Sequence, residues 1–437
     1  MGGQTNRRRF LQGTVATGAG YWVAGRLHAE DKAAKSPNER IQFGCIGVDG
    51  KGRSDSQDAA KHGDIVAICD IDDQKLEAAA KRKGFGSAKR FHDFNEMLEK
   101  MGSKLDAVTV STPDHCHAAA SVKAMKMGLH CFCQKPLART ASEARTMGQV
   151  AREMGVATQM GNQGTALGKM RKAAAEVKAG LLGDVPEVHV WTNRPIWPTG
   201  GERPAPQRAP DGLHWDLWLG PAPYRPYGRG YHPFAWRGWW DFGSGALGDM
   251  GCHTMNLPFR ALDLRDPISV AAESPGHNGD SFTPWSIVTY EFPTTDTRAA
   301  VKMIWYEGGK MPPPELFDGV VAEKSGVLFV GSKAKLYVAG DYADHEHKLL
   351  GDVEPVDVQY RKSPGHFQEW VDAIRGGDPA QSNFPDYAAP LAETVVLGNL
   401  AIWAGKKVQW DAKELKVTNG VDVDGLVRPE YRAGYAL

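Results

Sequence analysis

From Ile41 onward, short apolar runs alternate with longer stretches whose apolar residues recur at helical spacing. Ile41 to Gly47, Ile65 to Cys69, Leu105 to Val110, Leu129 to Cys133 and Val156 to Met160 are predicted as strands. Between them, residues 52–62 have helical composition, and Asp72 to Lys83 carries Leu76 and Ala80 one turn apart. Phe94 to Met101, His115 to Met127 and Ala141 to Met154 are the remaining predicted helices of this half. Such alternation implies an α/β fold with a parallel, doubly wound sheet of the Rossmann kind. Further on, Val188 to Trp191, Ile287 to Phe292, Ala299 to Ile304 and Gly326 to Val330 read as strands, and Phe367 to Arg375 and Ala388 to Ala404 as helices.

Length and charge narrow this picture. The part after residue 39, about 400 residues, is too long for one typical core, so two domains are expected, 40–162 and 163–437. Lys plus Arg and Asp plus Glu are 52 each, which leaves no basic footprint for nucleic acid. At the N-terminus, Arg7, Arg8, Arg9, Phe10 and Leu11 match the twin-arginine pattern, ahead of a weakly apolar Thr14 to Gly25. Residues 1–39 are therefore read as a signal and linker, cleaved near Ala29, and the mature protein as periplasmic or otherwise exported and free of membrane spans. The six cysteines do not read as a disulfide framework, since Cys45, Cys69, Cys131 and Cys133 fall in predicted strands.

In a doubly wound sheet, ligands gather at the carboxyl ends of the strands. Four stretches converge there: the turn Gly47, Asp49, Gly50, Lys51, Gly52; Asp70; Thr112-Pro113; and Gln134-Lys135. A glycine turn after a strand and before a helix, with an acid closing the next strand, points to a dinucleotide. Gly47 allows the tight turn, Gly52 the close helix packing, and the helix N-terminus attracts a pyrophosphate. Asp70 would accept from ribose hydroxyls and repel a 2′-phosphate, so NAD is expected. Asp49 stands where the pattern has its second glycine, and a carboxylate beside a diphosphate costs binding unless it points away. Lys51 and Arg53 offer compensating charge.

The segments Ser-Thr-Pro-Asp-His-Cys-His (111–117), Cys-Phe-Cys-Gln-Lys-Pro-Leu (131–137) and Gly-Ala-Leu-Gly-Asp-Met-Gly-Cys-His (245–253) resemble the Gfo/Idh/MocA family. Val-Trp-Thr-Asn-Arg-Pro (190–195) and Trp-Asp-Leu-Trp-Leu-Gly-Pro-Ala-Pro (215–223) resemble an exported branch of it. The family's Glu-Lys-Pro is Gln134-Lys135-Pro136 here, and Asn256 stands where this branch often has aspartate. The resemblance implies a C-terminal α+β domain with an open, mostly antiparallel sheet, and a homo-oligomer. It also implies hydride removal from a sugar carbon, with Lys135, Asp249 and His253 as catalytic residues and His117 near the nicotinamide. Lys135 lies where nicotinamide and substrate should meet, and a partly desolvated lysine can take or share the hydroxyl proton. Asp249 and His253 lie one turn apart, sharing a face if helical. His253 would exchange the proton, while Asp249 would bind substrate or tune the lysine.

Residues 191–240 hold Trp191, Trp197, Trp215, Trp218, Trp236, Trp239 and Trp240 among many prolines. Not all are expected in the core. Trp197 in particular is read as a sugar-stacking face, with Arg194 and Arg237 for hydroxyls or a carboxylate and loop packing as the alternative. His115 with His117, and His345 with His347, lack a third ligand at a telling spacing, so no metal is expected. Three functions remain: an NAD-dependent sugar oxidoreductase with tightly held cofactor; an NAD-dependent, redox-neutral glycoside hydrolase or lyase; and a sugar-binding remnant without catalysis.

Overall fold

Six parallel strands form the first sheet: β1 (Ile41–Ile46), β2 (Gly63–Cys69), β3 (Lys89–Phe91), β4 (Ala107–Val110), β5 (His130–Cys133) and β6 (Thr158–Met160). The computed structural model describes residues 40–437; the twin-arginine reading and the 1–39 segment lie outside the described residues. Strand order is β3-β2-β1-β4-β5-β6. Helices α1 (Lys51–His62), α2 (Asp73–Ala80), α3 (Phe94–Met101), α4 (Asp114–Lys126) and α5 (Ala141–Glu153) connect the strands. Order reverses between β1 and β4, so the loops that leave these strands diverge and open a crevice at the strands' carboxyl ends. The short β3 escapes the sequence pattern because two of its three residues are exposed. Helix α2 stops at Ala80 rather than Lys83, because the chain turns through Gly84 at φ +87°.

After helix α6 (Gly168–Lys178) a nine-stranded sheet follows. Its strands are β7 (Glu187–Trp191), β8 (Ser269–Glu273), β9 (Ser286–Phe292), β10 (Val301–Glu307), β11 (Gly326–Val330), β12 (Lys335–Ala339), β13 (Lys348–Leu350), β14 (Val408–Asp411) and β15 (Lys416–Val417). Only β7 and β10 pair in parallel; the other neighbours are antiparallel.

The helix Ala389–Ala404 ties the two sheets together. Thirteen of its 16 residues are buried, as expected of a helix apolar on every side. On one side it meets α5, where a Cβ at Gly148 would fall 3.0 Å from the Cβ of Ala389. On the other, the Tyr290 hydroxyl on β9 donates to the Val395 carbonyl at 3.2 Å. One continuous apolar core runs from Val110 and Cys133 in the first sheet to Phe292 and Trp305 in the second. The core thus crosses the expected boundary at 162/163, and residues 40–437 pack as one compact unit. All six cysteines are buried and unpaired. No helix among the described residues is long and apolar enough to cross a membrane.

Candidate active site

At the carboxyl ends of β1, β2, β4 and β5 lies a cleft of about 610 Å³, whose walls include Gly47, Asp49, Gly50, Lys51, Asp70, Thr112, Pro113, Gln134, Lys135, Arg237 and His253. Gly47 has φ +78°, and a Cβ there would lie 2.5 Å from the Ser111 carbonyl. A Cβ at Gly52 would lie 2.1 Å from the Gly47 carbonyl, so neither position admits a side chain. Gly50 has φ +54° with no described residue within 4 Å of where its Cβ would be, so that side of the turn is open among them. Among the described residues, no side chain caps α1 at Gly50. An uncapped 12-residue helix opening on a glycine cradle fits a pyrophosphate.

Asp70 accepts from the Val48 amide at 3.1 Å and the Asp72 amide at 3.2 Å. Burial raises its carboxyl above the ordinary range, against the pull of the Val48 amide and Lys75. Asp49 turns toward Lys75 on α2, 3.8 Å away. Lys75 itself reaches the ring of His232 at 3.2 Å, and all three line the cleft. The carboxylate that replaces the second glycine thus has a cation beside it, supplied by Lys75. Lys51 instead turns back onto its own helix, 2.6 Å from Asp55.

Gln134 keeps a carboxylate company rather than lacking one. Its amide donates to Asp55 Oδ2 at 2.8 Å, the Ser111 hydroxyl donates to the same oxygen at 2.8 Å, and Lys51 holds Oδ1. Asp55 is buried and pins α1, β4 and β5 together below the cleft floor. The acid that the family motif would place at 134 is matched here by one on α1.

Lys135 donates to the Asp249 backbone carbonyl at 2.6 Å and to Asp249 Oδ1 at 2.9 Å. Arg237 lies 3.5 Å and Arg194 3.6 Å from the same carboxylate. Burial alone would raise the Asp249 carboxyl, but Lys135, Arg237 and Arg194 outweigh it and hold it below the usual range. Of the two roles expected for Asp249, its contacts with Lys135, Arg237 and Arg194 fit tuning of the lysine, while the Asp249 and Arg194 side chains remain 12% and 19% exposed beside the cleft. Arg194 also reaches Asp341 at 3.2 Å.

Asp249 and His253 arrive at the same end of the cleft, but on a π-helical turn, Leu247–Gly251, followed by the α-turn Cys252–Thr254, not on one regular helix. Gly251 seats this segment against the central helix, since a Cβ there would fall 2.8 Å from Val395 Cγ1. His253 is buried, and burial followed by the Lys135 charge pushes it well below the ordinary histidine value, so its ring is neutral. Its Nδ1 has no partner among the described residues, and Tyr342 meets the ring edge-on at 4.5 Å.

His117 lies behind the wall, where its Nδ1 faces the Pro136 carbonyl at 2.7 Å and its Nε2 the Thr112 carbonyl at 2.8 Å. Both nitrogens are engaged, so it braces the two loops rather than reaching a nicotinamide. Asn256 is likewise internal, donating to the Thr165 hydroxyl at 2.8 Å.

The tryptophans also depart from expectation. Trp197 is buried and outside the cleft wall, and of the seven only Trp215 is partly exposed. Trp218, Trp236 and Trp239 build a small core of their own with Tyr231 and Phe242, and Trp191 packs in the second sheet. Only Trp218 and Trp236 face the cleft.

Three cleft-side groups were not anticipated: Asp55, Lys75 and Asp114. Asp114 opens α4, is buried, and lines the cleft beside Lys135 and Arg237. Burial pushes its carboxyl to about 7, against the pull of Arg237, the Ser244 hydroxyl and Lys135.

Residues 41–162 match the family model described as "Oxidoreductase family, NAD-binding Rossmann fold", and residues 168–304 the model for its "C-terminal alpha/beta domain". The chain belongs to the Gfo/Idh/MocA oxidoreductase family, and its first sheet is that family's NAD-binding Rossmann domain. The D-glucoside 3-dehydrogenase of Escherichia coli is 34% identical over 92 residues, 21% of this chain and 25% of that protein. A glycosyl hydrolase family 109 protein of Solibacter usitatus is 31% identical over 153 residues, 32% of this chain and 35% of that protein. These matches therefore span no more than about a third of either relative. The WlbA dehydrogenase of Bordetella pertussis, solved with NADH and UDP-GlcNAcA, shares the fold with a TM-score of 0.61 at 15% identity, over 85% of this chain and 99% of that one.

Proposed function

We propose that this protein is an NAD-dependent oxidoreductase acting on a sugar or sugar derivative, with its cofactor tightly held. The observation that carries the reading is the junction of two halves in one cleft: the glycine cradle with Asp70 at one end, and Lys135 anchored on Asp249 beside a neutral, unpartnered His253 at the other. The chemistry supplied by bound NAD is reversible removal of hydride from a carbinol carbon. Gly47, Gly50, Gly52 and the start of α1 would hold the pyrophosphate, and Asp70 the adenosine ribose. His253 offers a lone pair to the hydroxyl proton, and the Lys135 ammonium steadies the negative charge that develops on that oxygen. Asp249 fixes Lys135 in place, and Arg237 presents further donors to the sugar. Export through the twin-arginine route would carry the folded protein with NAD already inside. A captive cofactor must then be restored within each cycle.

A second reading, redox-neutral glycoside cleavage, is favoured by one observation. Asp114, with its carboxyl near 7, can give a proton to a leaving group in the same cleft. There, removal of hydride from a ring carbon acidifies the neighbouring C–H, loss of that proton expels the aglycone with a proton from Asp114, water adds across the resulting double bond, and return of the hydride restores the ring carbon.

The test starts with heat denaturation of the purified protein and assay of the supernatant for NAD. The protein is then given a sugar with and without a second sugar or keto acceptor, and separately aryl glycosides with no added NAD. Acceptor-dependent turnover is expected, whereas acceptor-free release of the aryl group would select the redox-neutral route. Absence of both NAD and NAD affinity would leave only a sugar-binding remnant. Lys135→Ala and His253→Ala should each abolish turnover in a folded protein, and activity retained in both would remove the assignment.

A further inference from the structure

At the Asp70 end of the cleft, three side chains from separate parts of the chain meet. Asp73 is the first residue of α2, His92 follows β3, and His214 precedes the helical turn Trp215–Leu219. Asp73 Oδ1 lies 3.3 Å from His92 Nε2 and 3.0 Å from His214 Nε2. The two rings are stacked with centroids 4.0 Å apart, and the three donor atoms all lie within 4.8 Å of one another. None of the three has a role in the chemistry assigned to Lys135 and His253.

The hydrogen bonding around His92 shows what this cluster lacks. His92 Nδ1 lies 3.0 Å from the Asp70 backbone carbonyl, which can only accept. Nδ1 therefore carries the proton, and a neutral ring turns its Nε2 lone pair toward the Asp73 carboxylate, another acceptor. Two lone pairs facing each other call for a cation between them, either a proton that makes His92 an imidazolium or a metal ion held by all three donors. Ligand separations of 3.0 and 3.3 Å are close to the tetrahedral edge, roughly 3.4 Å, expected for metal bonds of about 2.1 Å. A backbone carbonyl behind the far ring nitrogen is also the usual support of a metal-bound histidine.

The backbone around the cluster joins two loops. Asp73 N donates to the Gly212 carbonyl at 2.9 Å, His214 N donates to the Ile71 carbonyl at 2.9 Å, and Asp72 bridges Leu213 in antiparallel fashion. Gly212 has φ +80°, and a Cβ there would fall 3.0 Å from Asp73 Oδ2, so the approach is as close as the chain allows. Beyond this junction the same segment supplies Leu217, Trp218, His232, Pro233 and Phe234 to the cleft wall.

We infer that Asp73, His92 and His214 form a site for a divalent transition-metal ion of the zinc type, which fastens the 210–215 loop onto the loop that carries Asp70. Two imidazole nitrogens and one carboxylate oxygen suit zinc and leave a fourth position for water. The inference does not depend on which reaction the cleft performs, because its readouts are metal content and backbone protection.

The experiment treats the full protein with a chelator, removes the chelator, and titrates Zn²⁺ by calorimetry. Hydrogen exchange over residues 70–75 and 210–216 is followed with and without the ion. One Zn²⁺ per chain is expected in the wild type, with slower exchange in both segments. His214→Ala should weaken binding at least about tenfold and abolish the protection; His92→Gln serves the same purpose should His214→Ala fail to fold. No Zn²⁺ bound by the wild type, unchanged binding in the folded variants, or binding without added protection would each overturn the proposal.

Discussion

The Gln134 side-chain amide donates to the Asp55 carboxylate at 2.8 Å, and this pair closes the floor of the cleft from β5 to α1. Restoring the family's acid with Gln134→Glu would set two buried carboxylates against each other. The expected loss is about 2–4 kcal/mol of stability at neutral pH. Burial and Asp55 would raise a carboxyl at 134 above its unfolded value, so the penalty is full above the folded value and fades as pH falls and the proton binds. Urea denaturation at neutral and mildly acidic pH measures this. The double variant Asp55→Asn with Gln134→Glu should recover most of the loss; a double variant no better than the single one would show that Asp55 is not the partner that matters.

That pair shows why only part of the site was legible in the sequence. The strand–helix alternation, the glycine cradle, Asp70, Lys135 and His253 are local in sequence or carried by compact motifs, and the structure places each of them at the cleft. Partners brought in from distant segments leave a fainter trace. Asp55 does leave one: it falls on the buried face of α1 with Gly52, Ser56 and Ala59, and a carboxylate on such a face needs a partner. Lys75 and His214 have no such trace, since each looks like an ordinary surface residue until two loops meet. The tryptophans misled for the opposite reason. A proline-rich segment looked too irregular to own a core, yet Trp218, Trp236 and Trp239 bury one another.

Asp249 faces three cations, Lys135, Arg194 and Arg237, at the Lys135 end of the cleft. Asp249→Asn keeps the backbone carbonyl that Lys135 uses but removes the counter-charge beside Lys135 and Arg237, while Arg194 keeps Asp341. The expected result is a fall in kcat of about 10²–10³-fold with little change in KM. Steady-state kinetics on the folded variant separates the two, and a change confined to KM would return Asp249 to substrate binding. Because the folded Asp249 value is depressed, its stabilisation is present above the unfolded value near about 3.9 and is lost as pH falls through the folded one. Acid unfolding should therefore be shallower in Asp249→Asn than in the wild type.

Trp239 tests the packing role of the aromatic segment. It is buried, donates from its indole to the Gly230 carbonyl at 2.9 Å, meets Tyr231 edge-on at 5.2 Å, and does not face the cleft. Trp239→Ala should cost about 3–5 kcal/mol, read by chemical denaturation, with KM for the sugar unchanged in the fraction that stays folded. A raised KM at unchanged stability would instead give Trp239 a contact with the sugar.

Asp114 gives the cleft a pH dependence of its own. Burial, the dominant cause, carries its carboxyl to about 7, although Arg237, the Ser244 hydroxyl and Lys135 oppose the rise. The unfolded value is near about 3.9, so the folded protein keeps a proton that the unfolded chain releases between the two. The associated stability is complete below the unfolded value and declines as pH rises through the folded one. Wild-type stability should drop by a few kcal/mol between about pH 4 and pH 7, whereas Asp114→Asn should be flatter there. If Asp114 also exchanges a proton during turnover, the wild-type kcat/KM profile carries a limb with its midpoint near 7 that is missing from Asp114→Asn. Urea midpoints and kcat/KM across that range separate the two roles. A flat wild-type stability curve would show that Asp114 is ionised throughout, and a limb that survives in Asp114→Asn would assign the titration to another group.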